Sequence, residues 1–312
     1  MINDPAEPTS PEPTSPEPNS PEPNRPEPDA NPSRSNVLGA ADEGFVRRVA
    51  QLIRDAHHVV VLTGAGLSTE SGIRDFRGPD GVWTKDPDAE KYSDIRYYAA
   101  DPEIRKKAWR HRYDGTFTSA QPNTGHRALS RLATAGHLAT LITQNIDGLH
   151  QAAGYPAANI VEIHGTVQRF TCLSCGNGGP IQRVIDRLDS GEDDPPCLRC
   201  GGILKSATIS FGQSLNAEDL ERSHRAAQRC DLFLALGTSL TVYPVAALPE
   251  IAVRSGAKLV VANGERTAYD SAADEVSHAR LGPLLSAIAS AVLGDADGVS
   301  HGREELSVRP GS

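Results

Sequence analysis

The chain has 312 residues and a net charge of −9, with 38% hydrophobic and 23% charged residues, ordinary values for a soluble globular protein. No apolar run approaches the length of a bilayer crossing, and the opening MINDPAEP has neither a basic n-region nor an apolar h-region. An acidic chain without a long Lys/Arg run is a poor fit to duplex nucleic acid, so the expected setting is cytoplasmic, with neither a membrane nor a nucleic-acid partner.

The first 36 residues stand apart. Of the 23 prolines, eleven lie between Pro5 and Pro32, and a five-residue repeat (EPTSP, EPTSP, EPNSP, EPNRP, EPDAN) covers residues 7–31. Seven acids against Arg25 and Arg34 give this stretch −5, leaving −4 on the other 276 residues. Proline at this density removes backbone donors, and nothing apolar is present to pack, so a disordered tail is expected. It reads as a solvated spacer, with docking to a proline-recognising partner as the alternative.

From Gly44, GFVRRVAQLIRDA carries apolar residues at helical spacing, and HHVVVLT follows as a buried strand running into Gly64-Ala65-Gly66. Further apolar strands are expected at LATLIT (138–143), NIVEIH (159–164), KSATISF (205–211), DLFLAL (231–236) and AKLVVA (257–262). Helical patterns at 124–136, 217–230 and 244–256 lie between them. Strands apolar on both faces, alternating with helices, imply a parallel α/β sheet. A Cys-, Gly- and Pro-bearing stretch, about 169–205, breaks the rhythm and reads as a small inserted module. The expected organisation is a tail (1–36), a main domain (37–294) containing that module, and a flexible end (295–312).

Inside the insert, CLSC (Cys172, Cys175) and CLRC (Cys197, Cys200) are 21 residues apart. Two such knuckles suit a tetrahedral Zn²⁺ with every ligand supplied by protein, hence a structural site. Disulfides are disfavoured in a reducing cytosol. A thioredoxin-like site needs one CxxC at a strand-to-helix turn, while an iron–sulfur cluster is compatible with the spacing. Cys230, which ends a helical pattern, reads as a buried thiol.

The Gly64-x-Gly66 turn after a strand suits a diphosphate at a helix N-terminus. Thr69 stands where a third glycine would complete the dinucleotide fingerprint, so alone the turn is equally a tight bend. Its company is more specific. Gln144-Asn145-Ile146-Asp147 follows one strand, His164-Gly165 another, Gly237-Thr238-Ser239 a third and Asn263-Gly264 a fourth. Each set sits at a strand's C-terminal end, where open α/β sheets bind ligands.

These motifs (GAGLSTESGIRDFR, TQNIDGLH, the HG pair, two CxxC knuckles, GTSLTVYPV and the Asn-Gly turn) stand in the same order as in the sirtuins. The chain resembles a bacterial-type member of that family of NAD-dependent protein lysine deacylases over about residues 45–293. The resemblance implies a Rossmann-like large domain and a small zinc domain. It implies an enzyme that moves an acetyl (acyl) group from lysine to ADP-ribose, releasing nicotinamide, with acylated-lysine proteins as substrates. By position, Gly64, Ala65, Gly66 and Ser68 would cradle the diphosphate, and Asp75, Phe76 and Arg77 would line the nicotinamide-ribose region. Gln144 and Asn145 would meet ribose and water, and Asp147 the carboxamide. Gly237, Thr238, Ser239, Asn263, Gly264 and Leu281 would hold the adenosine half. His164 would be the general base, with Asn145 also catalytic, while His126, His137 and His150 read as packed histidines. Trp109 and Arg112 stand where desuccinylase-type members carry a Tyr-x-x-Arg pair, and Gln213 where glutamate is common. Without the tyrosine a bidentate clamp on an acidic acyl group is not expected, so a neutral acyl group is. ADP-ribosyl transfer to protein and a non-catalytic NAD- or zinc-binding scaffold are the rival functions.

Overall fold

A computed structural model describes residues 40–75, 81–85, 89–113 and 116–294, all within the Val37–Ser312 unit of the chain. The expectations for the repeat tail, for the C-terminal end 295–312, and for Phe76 and Arg77 lie outside the described residues.

Among the described residues, nine strands form two sheets: β1 (Val59–Thr63), β2 (Thr140–Thr143), β3 (Ile160–Glu162), β4 (Gly165–Cys172), β5 (Gly178–Pro180), β6 (Leu204–Thr208), β7 (Leu232–Leu236), β8 (Lys258–Ala262) and β9 (Glu275–Ser277). The larger sheet has the order β3-β2-β1-β7-β8-β9, and every neighbouring pair is parallel. The chain winds outward from β1 through β2 and β3, then returns to β7 beside β1 and winds the other way. The order therefore reverses between β1 and β7, where doubly wound sheets bind their ligands.

The apolar runs are continuous because both faces are covered. Val59, Val61, Leu234 and Leu236 pack under helices Ala40–Asp55, Thr124–Thr134 and Leu281–Leu293 through Phe45, Val49, Leu129, Leu285 and Ile288. The alternate residues Val60, Leu62, Phe233 and Ala235 meet Ala227, Leu248 and Ala252 of helices Ala217–Arg229 and Leu248–Arg254. Helix starts carry their caps: Asn123 Oδ1 accepts from the amides of Gly125 and His126, and Asn216 Oδ1 from those of Glu218 and Asp219.

The smaller sheet is antiparallel, in the order β5-β4-β6. Two expectations change here. KSATISF does not join the parallel sheet: β6 pairs with β4, because an apolar run signals burial without naming its partner. The small sheet also begins at Gly165 rather than near Arg169 and runs to Thr208. Its core is Phe170, Ile181, Val184 and Leu204 with Trp109, which arrives from helix Pro102–Arg112. Only Ile163 and His164 separate β3 from β4, so the two sheets meet at a two-residue joint. β9, too short and polar to be read from sequence, completes the large sheet's edge.

Candidate active site

The C-terminal ends of β1, β2, β3 and β7 meet in one hydrogen-bonded set. The turn after β1 is laid directly on the turn after β7: Gly64 N–H donates to Leu236 O at 3.0 Å and Gly66 N–H to Gly237 O at 2.9 Å. A β-carbon on Gly64 would lie 2.6 Å from Gly237 O and 2.7 Å from Thr238 Cβ. The Gly-x-Gly spacing thus serves first to let two loops cross, and both glycine amides are engaged by protein carbonyls. Gly237 has φ +64°, and its N–H donates to Ala262 O at the end of β8.

Asn145 is buried behind this crossing. Its Nδ2 donates to Gly64 O and to Ser68 Oγ, both at 3.0 Å, and its own N–H donates to Thr143 Oγ1 at 3.1 Å. Ser68 Oγ in turn donates to Asp147 Oδ2 at 2.7 Å, while Asp147 Oδ1 accepts from Leu149 N–H at 2.9 Å. Burial pushes the Asp147 carboxyl above its ordinary range, with the Leu149 and Ser68 donors acting in the other direction. Gln144 Nε2 donates to Thr238 Oγ1 at 2.8 Å, which joins the β2 and β7 loops.

His164 sits at the joint between the sheets. Its Nδ1 is 3.2 Å from Gln144 O, an acceptor only, so Nδ1 carries the proton and Nε2 keeps a lone pair. Burial lowers its pKa and the Gln144 carbonyl partly opposes this, which favours the neutral ring. Its own carbonyl accepts from Ile209 N–H at 2.8 Å, tying the joint to the end of β6.

Asn263 is placed by Ser277, whose carbonyl accepts its N–H at 3.1 Å, and its Nδ2 donates to Glu265 O. Ser239 Oγ lies 2.9 Å from Thr241 Oγ1, Gly264 is exposed, and Leu281 Cδ1 packs beside Gly237. Ala65 opens a short 3-10 turn, and Asp75 is half-buried at the end of its described segment.

Three supports were not read from sequence. Thr63 and Thr143, the last residues of β1 and β2, are buried, and Thr63 Oγ1 donates to Thr143 Oγ1 at 2.9 Å and lies 3.0 Å from His150 Nε2. A polar residue closing an apolar run was the available signal. Glu70 accepts Gly282 N–H at 3.0 Å and holds the start of helix Leu281–Leu293 against the β1 loop.

In the small module the four sulfurs of Cys172, Cys175, Cys197 and Cys200 all lie within 4.8 Å of one another, with Cys172 to Cys200 at 3.6 Å and Cys175 to Cys197 at 3.8 Å. A tetrahedral ion with Zn–S of about 2.3 Å holds its sulfurs about 3.8 Å apart, so the donor set fits Zn²⁺. Gly176 (φ +68°) and Gly201 (φ +72°) bend the chain after each knuckle. Burial opposes ionisation of Cys197, but amides of Arg199 and Cys200 and the neighbouring thiols bring it down to about 6.

A profile of the Sir2 family matches residues 64–244. The chain is 48% identical over 230 residues to NAD-dependent protein deacetylase 2 of Streptomyces coelicolor, covering 74% of this chain and 95% of that one. It is 41% identical to NAD-dependent protein deacetylase 1 of Bradyrhizobium diazoefficiens, over 77% of this chain and 93% of that protein. Among solved structures, one described as the structural basis for the mechanism and regulation of Sir2 enzymes superposes with a TM-score of 0.73 at 35% identity, covering 81% and 99% of the two chains. A Sir2–p53 peptide–NAD+ complex gives 0.68 at 33% identity, covering 76% and 94%. With its reversed parallel sheet, four-sulfur cluster and histidine-bearing joint, the chain belongs to the Sir2 family.

Proposed function

We propose that this chain is an NAD-dependent protein lysine deacetylase: it moves the acetyl group of an acetylated lysine to ADP-ribose and releases nicotinamide. The observation that carries the reading is His164, with Nδ1 on the Gln144 carbonyl, which leaves Nε2 of the neutral ring as a base, and with Asn145 next to that carbonyl in the β1–β2–β7 set. Relatives named NAD-dependent protein deacetylases, and Sir2 structures holding p53 peptide with NAD+ or with acetyl ADP-ribose, support it.

Bound NAD supplies an electrophilic ribose carbon, a leaving nicotinamide and the ribose hydroxyls that receive the acetyl group. The chain's part is positional and acid–base. Gly64, Ala65, Gly66 and Ser68 hold the diphosphate side of the pocket. Gln144, Asn145 and Asp147 hold the ribose and nicotinamide, Asp75, Phe76 and Arg77 are assigned to the same nicotinamide-ribose region, and Gly237, Thr238, Ser239, Asn263, Gly264 and Leu281 take the adenosine. Nε2 of His164 accepts a ribose hydroxyl proton, a role suited to a ring whose burial favours the neutral form. Zn²⁺ on Cys172, Cys175, Cys197 and Cys200 has four protein ligands and acts as a structural ion.

Among the described residues no helix is long and apolar enough to cross a membrane; a cytoplasmic setting, the absence of nucleic-acid binding, and a spacer or docking role for the tail belong to this proposal. The test is mass spectrometry of the purified chain with NAD and an acetyl-lysine peptide. Equal amounts of deacetylated peptide, nicotinamide and acetyl-ADP-ribose are expected. ADP-ribose retained on protein would replace the reading by ADP-ribosyl transfer, and no consumption of NAD by a scaffold.

A further inference from the structure

β8 and β9 run parallel with Ala262 opposite Ser277, which sets Asn263 opposite His278 just beyond the strands. The last bond between them is Asn263 N–H on Ser277 O at 3.1 Å. Continued by the parallel pattern, the next would be Ala279 N–H on Asn263 O. That amide is used elsewhere: Ala279 N–H donates to Ser277 Oγ at 3.2 Å. The Asn263 carbonyl faces the His278 ring instead, with Nδ1 2.7 Å away. A carbonyl only accepts, so Nδ1 carries a proton. The sheet edge thus ends on a side chain rather than on backbone, and the chain turns off into helix Leu281–Leu293.

The ring is held from its other side as well. Its Nε2 lies 3.5 Å from Asp270 Oδ2, a buried oxygen that makes no hydrogen bond among the described residues. The second oxygen, Oδ1, accepts from Thr267 Oγ1 at 2.6 Å and from Thr267 N–H at 3.1 Å, which fixes the carboxylate in a tight turn. Asp270 therefore commits one oxygen to its own turn and presents the other to the imidazole. Asn263 is restrained at three atoms: its N–H by Ser277, its carbonyl by His278 and its Nδ2 by the Glu265 carbonyl at 2.9 Å. The remaining polar atom, Oδ1, is an acceptor, the complement of a sugar hydroxyl. Of the three restraints only the His278 bond comes from another residue's side chain, so it alone can be removed without touching backbone. The His278 side chain is 41% exposed, and its loss leaves the core as it is.

We propose that His278 is a positioning residue for the adenosine half of the cofactor: its ring, oriented by Asp270, holds the Asn263 carbonyl and so fixes the Asn263–Gly264 turn. This rests on the reading of that turn as an adenosine contact. The end of β8 is three strands from the end of β2, which carries Gln144 and Asn145. At the spacing of neighbouring strands that is about 14 Å, so His278 acts on cofactor affinity and not on the reacting carbon.

The test uses the full-length, zinc-loaded chain with His278→Ala and with His278→Asn, whose Nδ2 takes the place of the ring's Nδ1; zinc content and melting temperature are the controls. Calorimetric titration with ADP-ribose reads the site without turnover, and NAD-dependent turnover of an acetyl-lysine peptide separates kcat from each KM. His278→Ala should weaken ADP-ribose binding and raise the KM for NAD about fivefold, the worth of one hydrogen bond, while kcat, the KM for peptide and the melting temperature hold. His278→Asn should bring both affinities back to within about twofold of the unaltered chain. A fall in kcat as large as the rise in KM, or an equal loss of affinity in both variants, overturns the positioning role. So does ADP-ribose binding that His278→Ala leaves unchanged, a result that keeps the cofactor reading and removes His278 from it. An unaltered chain that binds no ADP-ribose removes the cofactor reading itself, and the proposal with it.

Discussion

Gly237 and Gly264 both lie just beyond strands at the C-terminal edge of the large sheet, yet the structure separates them sharply. At Gly237 the backbone has φ +64°, and a β-carbon would sit 2.5 Å from Leu67 N and 2.9 Å from both Gly66 C and Leu281 Cδ1. Most of these atoms are backbone of the crossing β1 loop and have no rotamer to yield. Left-handed backbone costs an L-residue roughly 1–2 kcal/mol, and forcing a methyl into a filled site costs about 1–3 kcal/mol more. Gly237→Ala should therefore destabilise by about 2–5 kcal/mol, which for a domain of this size lowers the melting temperature by roughly 5–15 °C. At Gly264 an added β-carbon meets nothing within 4 Å and φ is not in the left-handed region. Gly264→Ala should leave stability unchanged or raise it by about 0.4–1 kcal/mol through the unfolded chain. Urea and thermal unfolding of the two variants, side by side, is the assay. Equal midpoints would refute the claim that loop crossing, and not ligand approach alone, demands the first glycine.

His164→Ala should melt with the unaltered chain and keep its zinc while product formation falls at least about a hundredfold, the usual contribution of a general base; undiminished turnover would remove His164 from the mechanism. Because burial lowers the His164 pKa and the base must be neutral, the acid limb of kcat/KM should fall below about pH 6.5, as a pH–rate profile would show. Cys197→Ser, or chelation of the native chain, should release the metal and lower the melting temperature, and a variant that retains both zinc content and melting curve would contradict a structural ion. Buried His126 and His150 are held down to about 4 and about 3 by desolvation. Unfolded imidazoles protonate near pH 6.5, so stability should be full above that value and decline as pH falls towards about 4. Flat urea midpoints over that range would contradict it.

Much of the molecule was legible because its sheet is buried on both faces. VVVLT and LFLAL announce themselves as runs without polar interruption, and the residues that follow each run fall on one edge once the strands are parallel. What could not be read is which strand lies beside which. KSATISF has the composition of a core strand, yet it pairs antiparallel in the module, since burial is a one-body signal and pairing a two-body one. The Gly64-x-Gly66 turn suits either an approach to phosphate or a tight bend, and its tightest demand comes from Gly237, a residue 171 positions beyond Gly66 that no local window contains. Likewise Arg112 reads in sequence as the arginine of a Tyr-x-x-Arg position, and only the fold shows that it donates to the hydroxyls of Ser206 and Thr208 on β6.

The two-residue joint between β3 and β4 makes the metal site and the imidazole mechanically one device. Gly165, with φ +72° and no room for a β-carbon against Ala207 O, clamps the start of β4 onto β6, and His164 is the residue immediately before it. Cys172 ends β4, and Cys197 and Cys200 precede β6, so the thiolates anchor the far ends of the two strands whose near ends fix the ring. Without the ion the ring would keep its Gln144 carbonyl, but the β4–β6 pairing that holds Ile209 N–H on the His164 carbonyl would lose the anchor at its far end. Turnover should therefore depend on a metal held entirely by the protein's own four sulfurs.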